Sequence, residues 1–369
     1  MSTPGVHVRA ALDAVPVYVP GRSAAQVAAL HGLDRVVKLA SNEAAHGPLP
    51  GVLEEAARLA AATHRYPDSE STVLRAAVAA RHDLPVERVV AGAGSVGLLQ
   101  QLVTATTGPG DEVVFAWRSF EAYPVFPALA GATGVRVPLT AEARHDVPGL
   151  AAAVTDRTRL LLVCTPNNPT GPTVTTTELE QLLQDVPPRV TVVVDEAYRE
   201  YVDDPAAADG LALARAHGNV AVLRTFSKAY GLAALRVGWC FAPPELAVAL
   251  RRTAVPFAVS TLAQEAAVLS LAQDDLVQER AHLVVRERTR MVDALTDLGL
   301  RLPASQGNFV WLPVGAAARP LAGALERRGV IARPYADDGL RITVGLPEED
   351  DLLLAVLPGA LAEAGVGSP

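Results

Sequence analysis

The sequence predicts an α/β protein with a mostly parallel central sheet flanked by helices and a smaller α+β domain. Up to Pro256, short apolar runs typical of buried strands alternate with helical stretches rich in alanine and leucine. Such alternation is typical of a parallel sheet covered by helices on both faces. The chain has 369 residues, which is too long for one small core and suits a large domain plus a smaller one.

The pattern changes after Pro256, where two long helical stretches replace the alternation. We therefore expect a large domain at residues 43–256. Residues 1–42, as an N-terminal arm, and residues 257–369 are expected to form the small domain. An interruption of the last helix is expected near Pro358, because proline removes a helical hydrogen bond.

The predicted elements follow from these periodicities. The expected strands of the large domain are residues 89–91, 112–116, 135–139, 160–164, 190–195, 220–223 and 237–242. The helices expected there are residues 52–62, 72–81, 96–106, 147–154 and 178–184. The expected elements of the small domain are helices 260–272, 276–298, 321–328 and 349–364 and strands 308–312, 330–333 and 340–344.

Composition narrows the class of protein. Half of the residues are apolar, the net charge is −8, and no block of lysine or arginine stands out, so neither nucleic acid nor an anionic membrane is an expected partner. Cys164 and Cys240 both lie in apolar runs and are expected to be buried residues, not a disulfide. No apolar run is long enough to span a membrane, and no metal site is predicted. A cytoplasmic protein is expected.

One lysine lies shortly after a strand-like run and directly after a serine. Residues 220–223 lead into Thr225, Ser227 and Lys228, and Arg236 comes eight residues after the lysine. A lysine beyond a buried strand can be desolvated enough to act as a free amine, as Schiff-base chemistry requires. A hydroxyl and a guanidinium nearby suit a phosphate. Taken alone, such a pair is more often solvated surface.

Two upstream segments also place polar side chains just after a strand-like run. Asn168 lies in a loop with two prolines and a glycine after the run 160–164, and Asp195 and Tyr198 follow the run 190–194. A carboxylate at the end of a buried strand stays ionised only with a cation or strong donors. The alternatives are a plain turn for the first segment and an ion pair or helix cap for the second. In open α/β sheets, ligands gather at the carboxyl ends of strands.

A glycine-rich turn precedes the helix at 96–106. Gly94, Ser95 and Val96 lie where backbone N–H groups at a helix start form an anion site. Most such turns are only turns, so this signal is weak by itself.

Taken together, these segments resemble the fold-type-I pyridoxal-phosphate aminotransferases, and within them the histidinol-phosphate aminotransferase branch. The resemblance covers nearly the whole chain. It implies the fold of that group, pyridoxal 5'-phosphate as cofactor, an amino acid and a 2-oxo acid as substrates, and a homodimer whose active sites are shared between chains.

The resemblance also implies roles for individual residues. Lys228 would carry the cofactor, Asp195 would pair with its pyridine nitrogen, and Tyr198 and Asn168 would bind its ring hydroxyl. Phe120 stands where the family places a ring that stacks on the pyridine, although it could simply be core. The residues implied to hold the phosphate are Gly94, Ser95, Val96, Thr225, Ser227, Arg236 and, from the neighbouring chain, Tyr66.

For the substrate, the resemblance implies that Arg341 holds the α-carboxylate. An arginine within a β-run is costly unless an anion meets it, but a salt bridge on a sheet face is an alternative. Tyr18 and Asn42 are candidate contacts from the N-terminal side. The alternative for both is an N-terminal arm that merely packs on the dimer. Asn168, Arg333 and Tyr335 complete the candidate substrate contacts.

The choice of amino donor depends on the segment Arg333-Pro334-Tyr335, where histidinol-phosphate enzymes usually have Arg-Asp. This departure, like the segment at residues 117–121, resembles actinobacterial aromatic amino acid aminotransferases of the same branch. The expected reaction is a ping-pong transfer from an aromatic amino acid to 2-oxoglutarate. Histidinol phosphate is the alternative, because Arg333 and Arg341 could jointly hold its phosphate. Another fate of the same carbanion, such as decarboxylation, is a further alternative.

Overall fold

The structure is a computed structural model that describes residues 8–9, 12–13, 15, 17, 21–61 and 63–366. Tyr18, a predicted substrate contact, lies outside the described residues. The described strands are β1 (Val37–Lys38), β2 (Val89–Gly92), β3 (Glu112–Trp117), β4 (Thr133–Pro138), β5 (Thr158–Cys164), β6 (Thr191–Asp195), β7 (Val220–Thr225), β8 (Gly238–Phe241), β9 (Phe309–Leu312), β10 (Val330–Ile331), β11 (Arg333–Tyr335) and β12 (Gly339–Thr343). The described helices are α1 (Ala24–His31), α2 (Val52–Ala60), α3 (Thr72–His82), α4 (Gly94–Thr106), α5 (Val125–Ala130), α6 (Val147–Ala152), α7 (Thr176–Asp185), α8 (Gly210–Ala216), α9 (Pro244–Thr253), α10 (Thr261–Leu271), α11 (Asp274–Asp297), α12 (Ala318–Glu326) and α13 (Pro347–Glu363).

The large sheet has seven strands in the order β2-β8-β7-β6-β5-β3-β4. Strands β7, β6, β5, β3 and β4 run parallel, and β8 is antiparallel to both of its neighbours. The expected mostly parallel α/β sheet is therefore confirmed. Because β5, β6 and β7 are adjacent and parallel, their carboxyl ends lie side by side.

Both faces of this sheet are buried. Successive residues of a strand point to opposite faces, and Val222 and Leu223 of β7 accordingly belong to two different apolar cores. Leu179 of α7 covers one face and Leu98 of α4 covers the other. Burial on both faces explains why the central strands are continuous runs of valine and leucine and not alternating ones.

A second, three-stranded antiparallel sheet has the order β11-β12-β9. Arg341 of β12 is paired with Arg333 on one side and with Trp311 on the other. Strand β1 pairs separately with β10, in parallel. These pairings attach the segment before the large sheet to the C-terminal part of the chain.

The last helix differs from the expectation. Helix α13 continues through Pro358 without interruption. Leu353, Leu357 and Leu361 are buried on both sides of the proline, so the packing of the apolar face outweighs the lost hydrogen bond. Helices α1, α5, α8 and α9 have no counterpart among the predicted elements. None of the helices in the described residues has the length and apolar character needed to cross a membrane.

Candidate active site

Three side chains predicted from separate segments lie at the carboxyl edge of the large sheet. Asn168 follows β5, Asp195 ends β6, and Lys228 follows β7. Cys164, the last residue of β5, is paired with Asp195, which in turn is paired with Leu223 of β7. The parallel register therefore brings the three segments to one edge, where ligands bind in sheets of this kind.

The Lys228 amine lies against the N-terminal segment of the fold. Nζ donates hydrogen bonds to the carbonyl oxygens of Asn42 at 2.9 Å and Ser41 at 3.3 Å. Burial, followed by the positive charge of Arg341, lowers the pKa of Lys228 to about 7. The amine can therefore lose its proton near neutral pH, as nucleophilic or base chemistry requires.

The Asp195 carboxylate is 5% exposed and is held by a tyrosine that the sequence pattern does not single out. The Tyr123 hydroxyl donates to Oδ2 at 3.0 Å, whereas Oδ1 accepts no hydrogen bond of normal geometry from the described residues. Burial raises the pKa of Asp195 from 3.8 to about 6, against the opposing effect of Tyr123. A buried acceptor left open in this way is suited to a donor from a ligand.

Asn42 connects the large sheet to the small one. Its Nδ2 donates to the Tyr198 hydroxyl at 3.0 Å, and its Oδ1 accepts from Thr343 Oγ1 at 3.1 Å. Asn42 is fully buried and has a φ of +51°, a left-handed conformation that asparagine tolerates. Burial raises the pKa of Tyr198, so its hydroxyl stays protonated.

Arg341 reaches the same edge from β12. It donates to Asn168 Oδ1 at 2.5 Å, to the Tyr335 hydroxyl at 2.7 Å and to the Ala40 carbonyl at 2.6 Å. Its Nε is buried without a hydrogen-bond acceptor among the described residues. All of these acceptors are neutral, so the charge of Arg341 remains available to an anion.

The residues predicted to bind an anion form a compact group around the start of α4. Gly94 has a φ of +74°, and a Cβ there would lie 2.7 Å from Arg236 Nη2. Arg236 Nη1 donates to Ser227 Oγ at 3.3 Å, and the Ser227 N–H donates to Thr225 Oγ1 at 3.1 Å. Ser95 and Val96 continue the first turn of α4. A guanidinium, two hydroxyls and a helix start thus surround one position.

Tyr66 and Phe120 have different surroundings. Tyr66 is 82% exposed and stacks on the Phe257 ring at a centroid distance of 4.5 Å. Phe120 is half-buried in the loop after β3, with its ring edge-on to Tyr123 at 5.7 Å. Phe120 therefore lies beside the Asp195 edge, and Tyr66 lies on the surface of the chain.

One edge of a mostly parallel sheet carries a desolvated lysine, a buried carboxylate and a group of residues suited to bind an anion. This arrangement is typical of a cofactor-dependent transferase. The sequence matches the aminotransferase class I and II family over residues 34–356, and the chain belongs to that family. Among curated relatives, the aromatic amino acid aminotransferase of Thermobifida fusca is 53% identical over 95% of this chain and 96% of its own length. The enzyme of the same name from Streptomyces avermitilis is 49% identical over 96% and 98%.

Solved structures agree with the family. The histidinol-phosphate aminotransferase of Sinorhizobium meliloti, in complex with pyridoxal-5'-phosphate, superposes with a TM-score of 0.88. It is 29% identical, and the match covers 97% of this chain and 98% of that one. The predicted family and fold are therefore confirmed.

Proposed function

We propose that this aminotransferase uses pyridoxal 5'-phosphate to move the amino group of an aromatic amino acid to a 2-oxo acid, with 2-oxoglutarate as the acceptor. The observation that carries the proposal is the convergence of Lys228, Asp195 and Arg341 at one edge of the sheet. The aromatic donor rests on the names of relatives about half identical over nearly the full chain.

The residues present fit the cofactor. The open Oδ1 of Asp195 is a buried acceptor for a protonated ring nitrogen. The group formed by Gly94, Ser95, Val96, Thr225, Ser227 and Arg236 suits a phosphate, and glycine at position 94 leaves the space that a Cβ would fill. When bound, the cofactor supplies an electron sink for the carbanion formed at the substrate α-carbon.

Each protein group then has a defined task. Lys228 Nζ, with a pKa near 7, holds the proton removed from the substrate α-carbon, because a base with a pKa near the working pH is the most effective. Ionised Asp195 would favour a proton on the ring nitrogen by charge pairing. Tyr198 and Asn168 would hold the cofactor ring through their polar groups, and Phe120 would pack against it.

The amino acid is held by its α-carboxylate at Arg341. Its side chain then lies along the face of the small sheet that carries Trp311 and Tyr335, whose rings meet edge-on at 5.5 Å. Aromatic side chains favour such contacts with other rings. Asn42, and Tyr18 beyond the described residues, would approach from the N-terminal side.

We also propose that the enzyme is a homodimer. The stacked pair of Tyr66 and Phe257 is an exposed aromatic surface, and in a dimer Tyr66 would reach the phosphate of the neighbouring chain. Sedimentation of the purified protein tests this. A monomer that retains full activity would contradict the shared site.

Histidinol phosphate is the second candidate donor. Arg333 lies opposite Arg341 on neighbouring strands, so two guanidinium groups share one face of the sheet. The solved structure of Sinorhizobium meliloti bears the name of that activity.

A half-reaction separates the two donors. The purified enzyme with bound cofactor is mixed with phenylalanine or with histidinol phosphate, without acceptor, and the visible absorbance of the cofactor is followed. We expect rapid loss of absorbance with phenylalanine. A rapid change with histidinol phosphate alone would reassign the substrate, and no change with either would leave the family intact but refute the aromatic donor.

A further inference from the structure

One face of the small sheet presents a row of side chains to the active site. Trp311, Arg341 and Arg333 are directly opposite one another on β9, β12 and β11, and cross-strand partners project from the same face. Tyr335 lies two residues after Arg333 and therefore shares this face. The row places a second arginine beside the one that is proposed to hold the substrate carboxylate.

The second arginine is paired with a carboxylate from the large domain. Arg333 Nη2 lies 3.1 Å from Glu121 Oε2, and the two side chains are 22% and 42% exposed. Glu121 follows Phe120 in the loop after β3, at the same edge of the sheet as Asp195. The pair therefore bridges the large sheet and the small one at the entrance to the site.

A neighbouring arginine is paired in the same way. Arg118 Nε donates to Asp338 Oδ2 at 2.7 Å, while its guanidinium lies 5.8 Å from the centre of the Tyr335 ring. Arg341 differs from Arg118 and Arg333, because the hydrogen bonds described above connect it to neutral oxygens. The positive charge of Arg341 is thus available to a substrate, whereas Arg118 and Arg333 are each paired with a carboxylate.

We propose that Glu121 is a specificity-determining residue that neutralises Arg333 and so disfavours amino donors whose side chain ends in a phosphate. The inference deepens the proposed function, because it rests on the site taking an aromatic donor. A phosphate dianion approaching Arg333 must displace Glu121 or lie beside it, and like charges placed together oppose binding. An aromatic ring is uncharged and does not meet this repulsion.

The test compares second-order rate constants of the half-reaction for histidinol phosphate and phenylalanine, using enzyme with bound cofactor. The ratio is the constant for histidinol phosphate divided by that for phenylalanine. Glu121→Gln should raise this ratio by roughly tenfold at low salt, since it removes a negative charge beside the phosphate. The gain should shrink as salt is added, because Glu121 is partly exposed.

A double-mutant cycle assigns the gain to Arg333. In Arg333→Gln the ratio should fall below that of the wild type. Adding Glu121→Gln to it should raise the ratio by less than the same substitution does in the wild type, because repulsion of the phosphate is relieved but no arginine is freed. A matched control is Asp156→Asn, which removes an exposed carboxylate paired with Arg189 at 3.0 Å. Asp156 precedes β5, at the opposite end of that strand from the site. The ratio measured for the Asp156→Asn variant should therefore equal that of the wild type.

Three outcomes would overturn the inference. They are an unchanged ratio in Glu121→Gln, an equal gain when Arg333 is already replaced, and an equal gain in Asp156→Asn. The wild-type rate with phenylalanine tests the proposed function separately. If that rate were negligible, the aromatic donor would be refuted, and the change in the rate with histidinol phosphate would still report on Glu121.

Discussion

Tyr123→Phe isolates the hydrogen bond that holds the buried Asp195 carboxylate. The ring of Tyr123 is 1% exposed, and the substitution removes only the hydroxyl that donates to Oδ2 at 3.0 Å. A hydrogen bond to a charged group contributes about 1.5–3 kcal/mol. Because it favours the ionised carboxylate, its loss should raise the pKa of Asp195 by about one to two further units.

The consequence is a change in how stability depends on pH. The folded pKa of Asp195, about 6, lies above its ordinary value of 3.8, so the folded state binds this proton more tightly than the unfolded state. The contribution of Asp195 to stability is complete below the unfolded pKa and is lost as pH rises through the folded one. In the wild type this loss amounts to about 3 kcal/mol and ends slightly above pH 6.

In Tyr123→Phe the same loss should continue to about pH 8. The assay is urea denaturation of the cofactor-free protein from pH 5 to pH 8, at one protein concentration because self-association would add to stability. The variant should fall below the wild type by a margin that grows by about 1.5–3 kcal/mol over this range. Tyr201→Phe, which removes a hydroxyl from another buried ring, should show a constant margin. A constant margin in Tyr123→Phe as well would refute the reasoning.

Three other substitutions test the site and its support. Lys228→Ala should abolish transamination and the visible absorbance of the lysine-bound cofactor, and near-normal turnover would exclude its assigned role. Gly94→Ala should weaken cofactor binding by about tenfold in equilibrium titrations, because an alanine is strained at a φ of +74° and its Cβ, 2.7 Å from Arg236 Nη2, would displace the guanidinium. Glu196→Gln leaves buried Arg224 without the carboxylate at 2.8 Å and should lower the free energy of unfolding by about 3 kcal/mol in urea.

The sequence is most informative where chemistry follows directly on a strand. Asn168, Asp195 and Lys228 can be grouped from the order of residues alone, because each comes after an apolar run and parallel strands end at a common edge. The glycine-rich start of α4 is recognisable by the same local logic. These inferences need only the order of elements and the rule that ligands bind at strand ends.

Contacts between distant segments cannot be predicted in that way. Tyr123 reaches Asp195 because β3 lies two strands from β6 in the sheet, with β5 between them. Glu121 meets Arg333 across 212 positions of the chain. Tyr123 and Glu121 both come from the loop after β3, and nothing in the residues of this loop indicates which distant side chains they contact. The positions of Tyr123 and Glu121 depend on strand order and register, and local periodicity determines neither of these.

The two titrating groups at the centre of the site are displaced in opposite directions by the same cause. Burial lowers the pKa of Lys228 to about 7 and raises that of Asp195 to about 6, since each charged form loses hydration. Without the cofactor, the charged forms of Lys228 and Asp195 are therefore less favourable in the folded protein than in water, which lowers the stability of the fold near neutral pH. A ligand that supplies a positive charge to Asp195 relieves the cost at this carboxylate, so binding it should stabilise the fold. The burial that prepares the lysine for chemistry thus also makes the stability of the protein depend on its ligand.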